Sequence, residues 1–464
     1  MIRLIARREL TELWRDGRLA GAGGLVALLV CAALAVGWQR QHEIAAERTA
    51  AQVLDYDDWV SQQERHPHDA AHQGMHVFKP EPALAIVDPG IEPYVGSTIW
   101  LQAHRQSELK FRPAQDATGL QRFGSLSAAW VLQVLGPLLV IVLGFNSIAW
   151  EREQGTLRQV LSLGVAPRQL FWGKAVALGG AVTTLLVPCF VLAAAAVLYA
   201  SSAAPVPALA RLGWLAGAYA LYFGIWVFVV LGVSARVRTS RASMTTLVAL
   251  WIVTVVLAPR VIADLSRRWQ PTPTRTEFER EMQHDLNEEY EHAWREQFGT
   301  SVRWGPDLPL DKWGISLRVD DHAGYGVTDE HFGALWDTFA AQRRFQEWAG
   351  LAVPILAVRS FSMGLSGTDF SHHRNFSVAA EQHRRVMQDL MSGDLIEHAD
   401  PLKDRHFAYQ ADRELWRQVP RFVYDAPSVG WALRESWPGL LVLALTCALS
   451  AAAALAAVPR QRML

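Results

Sequence analysis

Histidines carry the clearest chemical potential in this sequence. All fifteen fall between His42 and His406, and the densest group is His66, His68, His72 and His76. Neutral imidazoles ligate zinc or copper, and His68, His72 and His76 would share one face of a helix if one formed there. Pro67 and Gly74 argue against a regular helix, and the three cysteines lie elsewhere in the chain. Loop and packing roles are therefore expected for these four, with no metal assigned. The adjacent His372 and His373 make a weaker pair of ligands still.

Other chemistry is marked by missing motifs. A P-loop ends in Gly-Lys-Ser/Thr, whereas Gly173-Lys174 is followed by Ala175 and lacks the glycine five residues before Gly173. This chain is not expected to hydrolyse ATP. His-Glu-x-x-His and Gly-x-Ser-x-Gly arrangements are also absent, so the common hydrolase signatures give no enzyme reading. A formal net charge of -1 and the lack of a basic stripe argue against a nucleic-acid partner.

The elements that must position these residues are largely apolar. With 51% hydrophobic and 19% charged residues and a mean hydropathy of +0.09, the chain is too apolar for an ordinary soluble protein. Six apolar runs account for the excess: residues 19–38, 126–150, 175–200, 212–233, 244–262 and 439–458; none has an acidic residue, and the one basic residue in them is Arg260, near the end of the fifth. At 1.5 Å per residue, about 20 residues cross a hydrocarbon core of roughly 30 Å. The first run exceeds a signal-peptide core of roughly 7–15 residues, so a retained anchor is expected.

Short-loop basic residues set the orientation. Arg3, Arg7, Arg8, Arg15 and Arg18 in the amphipathic segment 1–18 fall on one side of a six-span topology. So do Arg152, Arg158, Arg168 and Lys174 in loop 151–174, Arg236, Arg238 and Arg241, and Arg460 and Arg462 in tail 459–464. The short loop on the other side has Arg211 alone. Both termini are expected in the cytoplasm, leaving 39–125 and 263–438 outside. The ten-residue run 349–358 is too short for a seventh span and reads as a buried or interfacial segment.

Both outer segments read as folded, mainly helical domains. The first span is expected to continue as a helix through Glu43 to Trp59 and to break at Pro67, Gly74, Pro80 and Pro82. In the second, Phe278, Met282, Leu286, Tyr290, Trp294 and Phe298 recur every four residues; Thr276 with Glu279 has capping-box spacing, and Gly299 is placed as a stop. Further helical patterns surround Phe332, Leu335, Trp336 and Phe339, and run from Phe376 to Met391 with an end at Gly393. The many tryptophans there, Trp294, Trp304, Trp313, Trp336 and Trp416 among them, are expected in cores and at the membrane interface. Cys31, Cys189 and Cys447 all fall within predicted spans, so no disulfide is expected outside.

In loop 151–174, Leu157, Val160, Leu161 and residues 163–165 give an apolar side, and Glu151, Arg152, Glu153 and Arg158 a charged one; Gly155 and Pro167 bracket the helix. The pattern Glu151-x-Glu153-x-Gly155-Thr156-Leu157, then Leu161-Ser162, Pro167-Arg168 and Gly173-Lys174, resembles the loop between the second and third spans of ABC type-2 transporter permeases. Gly164 departs slightly from that pattern. Residues 67–90 and 364–385 resemble the branch of the family with two large extracytoplasmic insertions, a domain-of-unknown-function family.

The resemblance implies docking of Glu151, Glu153, Gly155, Thr156, Leu157 and Leu161 into a separate ATPase subunit, which would carry ATP and Mg; this chain needs no cofactor. It implies a bacterial inner-membrane assembly of two permease subunits, alike or related, with two ATPases, surrounded by lipid. An ATP-driven exporter or extractor is the leading reading, since the apolar runs hold no acidic group and only Arg260, near one end, as a basic one, whereas ion-driven carriers place ionisable groups in the bilayer interior. A mechanotransmission subunit acting on a periplasmic partner is the alternative. Within the loop, Leu157 is expected to fill the ATPase cleft, while Glu151 and Glu153 pair with its basic residues.

Overall fold

The computed structural model describes residues 1–112, 126–200, 205–304 and 312–458. After an amphipathic helix (Ile2–Arg15) come six helices long and apolar enough to cross a membrane: Leu19–Ser61, Ala128–Glu153, Pro167–Ala200, Pro205–Arg236, Ser240–Trp269 and Val429–Ala457. They are called here the first to sixth spans. Each outruns its apolar run, because helix continues through charged flanks that a hydropathy window rejects. The third begins at Pro167, not residue 175; the sixth begins at Val429 and carries Pro438 inside it. The tail 459–464 lies outside the described residues.

The bundle core is continuous. The fourth span packs along the third and sixth, burying Tyr219, Tyr222, Phe223 and Trp226. The run 349–358 is not a single helix: it ends one helix and opens another, Pro354–Ser366, which packs against the fourth and sixth spans. Gly364 permits that approach, since a Cβ there would lie 2.0 Å from Ser436 Oγ.

The two insertions, separate in sequence, share one core. Trp59 at the end of the first span, Met75, Val77, Ile99 and Leu101 from the first insertion pack with Phe376, Met387, Leu415 and Trp416 from the second. Trp59 donates its indole N–H to the Trp416 carbonyl at 3.0 Å. The mainly helical expectation omitted a hairpin-like pair, β1 (Met75–Phe78) antiparallel to β2 (Thr98–Leu101), with Met75 opposite Leu101. Strands of four residues leave too few alternations for a period of two to be legible.

An arm projects from this body. Its helix Arg275–Phe298 starts two residues earlier than expected: Thr274 and Glu277 form the capping box, not Thr276 and Glu279, because Thr274 follows Pro273 in an extended conformation. The four-residue stripe is its inner face, and Gly299 at φ 70° ends it. The returning helix is Trp313–Ala349. Asp320 on it accepts from Trp294 Nε1 at 2.6 Å, Trp304 Nε1 at 3.0 Å and Arg303 Nη2 at 2.6 Å. The helix from Phe370 continues to Asp394 and through a π turn to Ala399, so Gly393 is no stop. It allows close passage of Arg318, whose Nη2 would lie 2.9 Å from a Cβ there.

A polar chain joins insertions to bundle. Ser362 donates to buried Asp88 at 2.5 Å; Tyr219 hydroxyl lies 3.2 Å from Ser362 Oγ and accepts from Gln133 Nε2 at 3.0 Å. Burial pushes the Asp88 carboxyl above the usual carboxylate range.

Candidate functional site

The second span ends at Glu153, and Gly155 turns the chain with φ 73°, a left-handed conformation that favours glycine. A short helix, Thr156–Ser162, follows; Gly164 at φ 86° releases it toward Pro167 and the third span. Thr156 Oγ1 donates to the Glu151 carbonyl at 3.2 Å, closing the elbow on itself.

Charges fix the elbow to the rest of the chain. Lys174, buried in the first turns of the third span, donates to Glu9 at 2.7 Å and to Glu151 at 2.8 Å, tying the N-terminal helix to both spans. Burial still raises the Glu9 carboxyl above its ordinary value, against the pull of Lys174. Arg152 donates to the Ala235 and Val237 carbonyls, both at 2.6 Å. Glu153 accepts from Ser240 N at 3.1 Å and Oγ at 3.0 Å, reaching the start of the fifth span.

The sequence-predicted residues are therefore brought together, but in different roles. Leu157 is 8% exposed and packs with Ile148, Val165, Leu170 and Ala235; Leu161 lies against the same cluster. The apolar side of this helix is covered by the chain's own spans, so Leu157 offers no free anchor here. Glu151 is likewise engaged by Lys174, and Glu153 by Ser240. The outward surface is Gln154, Gly155, Thr156, Arg158, Gln159 and Leu163, and Leu163 is 82% exposed.

The four candidate histidines separate. His66 faces His406, with Nε2 atoms 3.3 Å apart, and His76 pairs with Asp55 at 2.9 Å. His68 and His72 stand together on a two-turn helix, Pro67–Gln73; Pro67 at its first position and Gly74 just past its end frame this helix, contrary to the sequence expectation. Their third neighbour is His104, absent from the sequence reading because β-pairing brings it from 32 positions downstream of His72.

Comparison with protein-family models matches residues 3–287 to the ABC-2 family transporter proteins, more than half of the chain. The chain belongs to this family. It is a permease subunit of an ABC transporter, and membership implies an ABC ATPase subunit as its partner. In the permease, the match takes in the N-terminal helix, the first insertion, the elbow and five spans. Residues 272–425, the second insertion, match a domain of unknown function, DUF3526. No curated protein matches the chain.

Proposed function

We propose that this permease is the membrane part of an ATP-driven exporter or extractor, and that its elbow receives the motion of the ATPase. The observation carrying this reading is the Lys174 bridge to Glu9 and Glu151. A docking helix held only by backbone would bend when pushed. Here Glu151 and Glu153, just before the docking helix, bind Lys174 of the third span and Ser240 of the fifth, and Lys174 also binds Glu9 of the N-terminal helix, so displacement of Thr156–Ser162 passes through the end of the second span to these elements.

In this reading both termini and the elbow lie in the cytoplasm of a bacterial inner membrane, as the basic flanks favour, and the insertions lie outside. A second permease subunit and two ATPases, which bind ATP and Mg, complete the assembly. Leu163, with Thr156, Arg158 and Gln159, replaces Leu157 as the surface offered to the ATPase. Burying one Leu stabilises docking by roughly 1.5–3 kcal/mol, against about 0–1 kcal/mol for an exposed ion pair.

Co-purification and ATPase measurements in liposomes test this. Leu163→Asp is expected to leave the permease folded while dissociating or uncoupling the ATPase; wild-type association and wild-type transport-stimulated hydrolysis would refute the docking surface. A second reading, mechanotransmission to a periplasmic partner, is favoured by the unbroken 43-residue first span, which runs from the bundle into the insertion core. Substrate flux separates the two, since a mechanotransmitter hydrolyses ATP without moving solute.

A further inference from the structure

We propose that His68, His72 and His104 form a tri-imidazole site for a late first-row divalent cation, Zn2+ in the simplest case, with an open ligand position toward the cavity beneath the arm. One nitrogen from each residue can be chosen so that all three lie within 4.8 Å of one another. His68 and His72 Nε2 atoms are 3.1 Å apart, and the His104 ring centroid is 5.0 Å from each of the other two rings. Two nitrogens bound tetrahedrally to zinc at about 2.0–2.1 Å are about 3.3–3.4 Å apart, so one edge of the tetrahedron is almost formed. Rotations of the His104 side chain supply the rest.

The backbone points the same way. His104 sits at φ 66°, a left-handed conformation that strains a residue with a side chain and clusters at ligand sites. Packing does not account for that strain, because the His104 side chain is 40% exposed. Asp321 Oδ1 lies 3.8 Å from His104 Nδ1, beyond hydrogen-bond distance but on the side from which an outer carboxylate would orient a metal-bound imidazole. Nearby cations do not block the site: Arg303 is paired with Asp320, and Arg384 with Glu381.

Three neutral imidazoles suit zinc, copper, nickel or cobalt, and disfavour magnesium or calcium, which take oxygen ligands. His68 and His104 also line a cavity of about 1430 Å³ with Tyr290, Arg303 and Phe332. A water or an anionic oxygen of a bound molecule would complete the coordination from that side. Nothing in this inference depends on how the elbow meets the ATPase.

The test uses the full-length permease in detergent, purified without a histidine tag. Zn2+ is titrated against a competing chelator, and Co2+ serves as a spectroscopic probe. One tight ion per chain is expected. His72→Ala, on an exposed ring, should weaken binding by more than the about 10–100-fold typical of losing an outer-shell partner, while His76→Ala leaves affinity unchanged. His104→Gly is decisive: it should abolish binding yet raise the melting temperature of the metal-free protein by relieving the left-handed strain. No bound ion in wild type, or wild-type affinity in His72→Ala or His104→Gly, would overturn the site.

Discussion

At the elbow, position depends on charge. Lys174 bridges two carboxylates, Arg152 and Glu153 reach the connection between the fourth and fifth spans, and among the described residues Leu157 shares its small apolar cluster with four other buried side chains, Ile148, Val165, Leu170 and Ala235. In the insertion body, position depends on aromatic and aliphatic burial around Trp59 and Trp416, whose rings meet edge-on at 5.9 Å. Ion pairs can be exchanged for others as a partner moves, whereas a close-packed core resists any change of volume. On the proposed function, displacement falls to the elbow, and the insertion body is carried as a unit.

The comparison breaks most visibly if the core is opened. Trp416→Ala should cost about 3–5 kcal/mol and lower the melting temperature of both insertions together, which limited proteolysis of each would report. Cleavage confined to the second insertion would mean that the shared core is not cooperative. Next comes Lys174→Met, which leaves Glu9 and Glu151 partly buried without a cation. A loss of up to about 3 kcal/mol is expected, and Glu9→Gln in the same chain should recover part of it.

A pH titration sharpens the contrast from the insertion side. His373 is held down to about 3, by burial first and then by Lys79 and Arg112, against an ordinary 6.5. Below 6.5 the unfolded chain therefore binds more protons than the folded one, and stability falls as pH drops from 6.5 toward 3. Melting curves across that range should be steeper for wild type than for His373→Phe. The smallest effect is expected for Glu153→Gln: its contacts with Ser240 are exposed, so the change should be about 1 kcal/mol or less, read best as weaker coupling in the ATPase assay.

The six candidate spans and the arm stripe were legible because each rests on local periodicity or run length. The elbow's outline was legible for the same reason, with Gly155 and Pro167 marking its ends. The direction in which Leu157 points was not, because it depends on Leu170 and Ala235, which come from other helices. Lys174 reads as an ordinary loop cation until Glu9, 165 positions away, is brought beside it. His104 was hidden likewise: no spacing rule links it to His72, and only the β1–β2 pairing joins them. Pro67 and Gly74 were misread because the same residues break a long helix and frame a short one.

The joining of Trp59 to Trp416 also sets a timetable for biogenesis. The hydrogen-bonded pair is separated by 357 residues. At about 5–20 residues per second of synthesis, Trp59 waits roughly 20–70 s for its partner, longer than most hairpins or helices need to form. Throughout that interval the first insertion presents Met75, Val77, Ile99 and Leu101 without their cover. A nascent chain of this permease therefore spends most of its synthesis with that apolar face uncovered, and chains truncated before Phe376 are expected to be degraded rather than to accumulate.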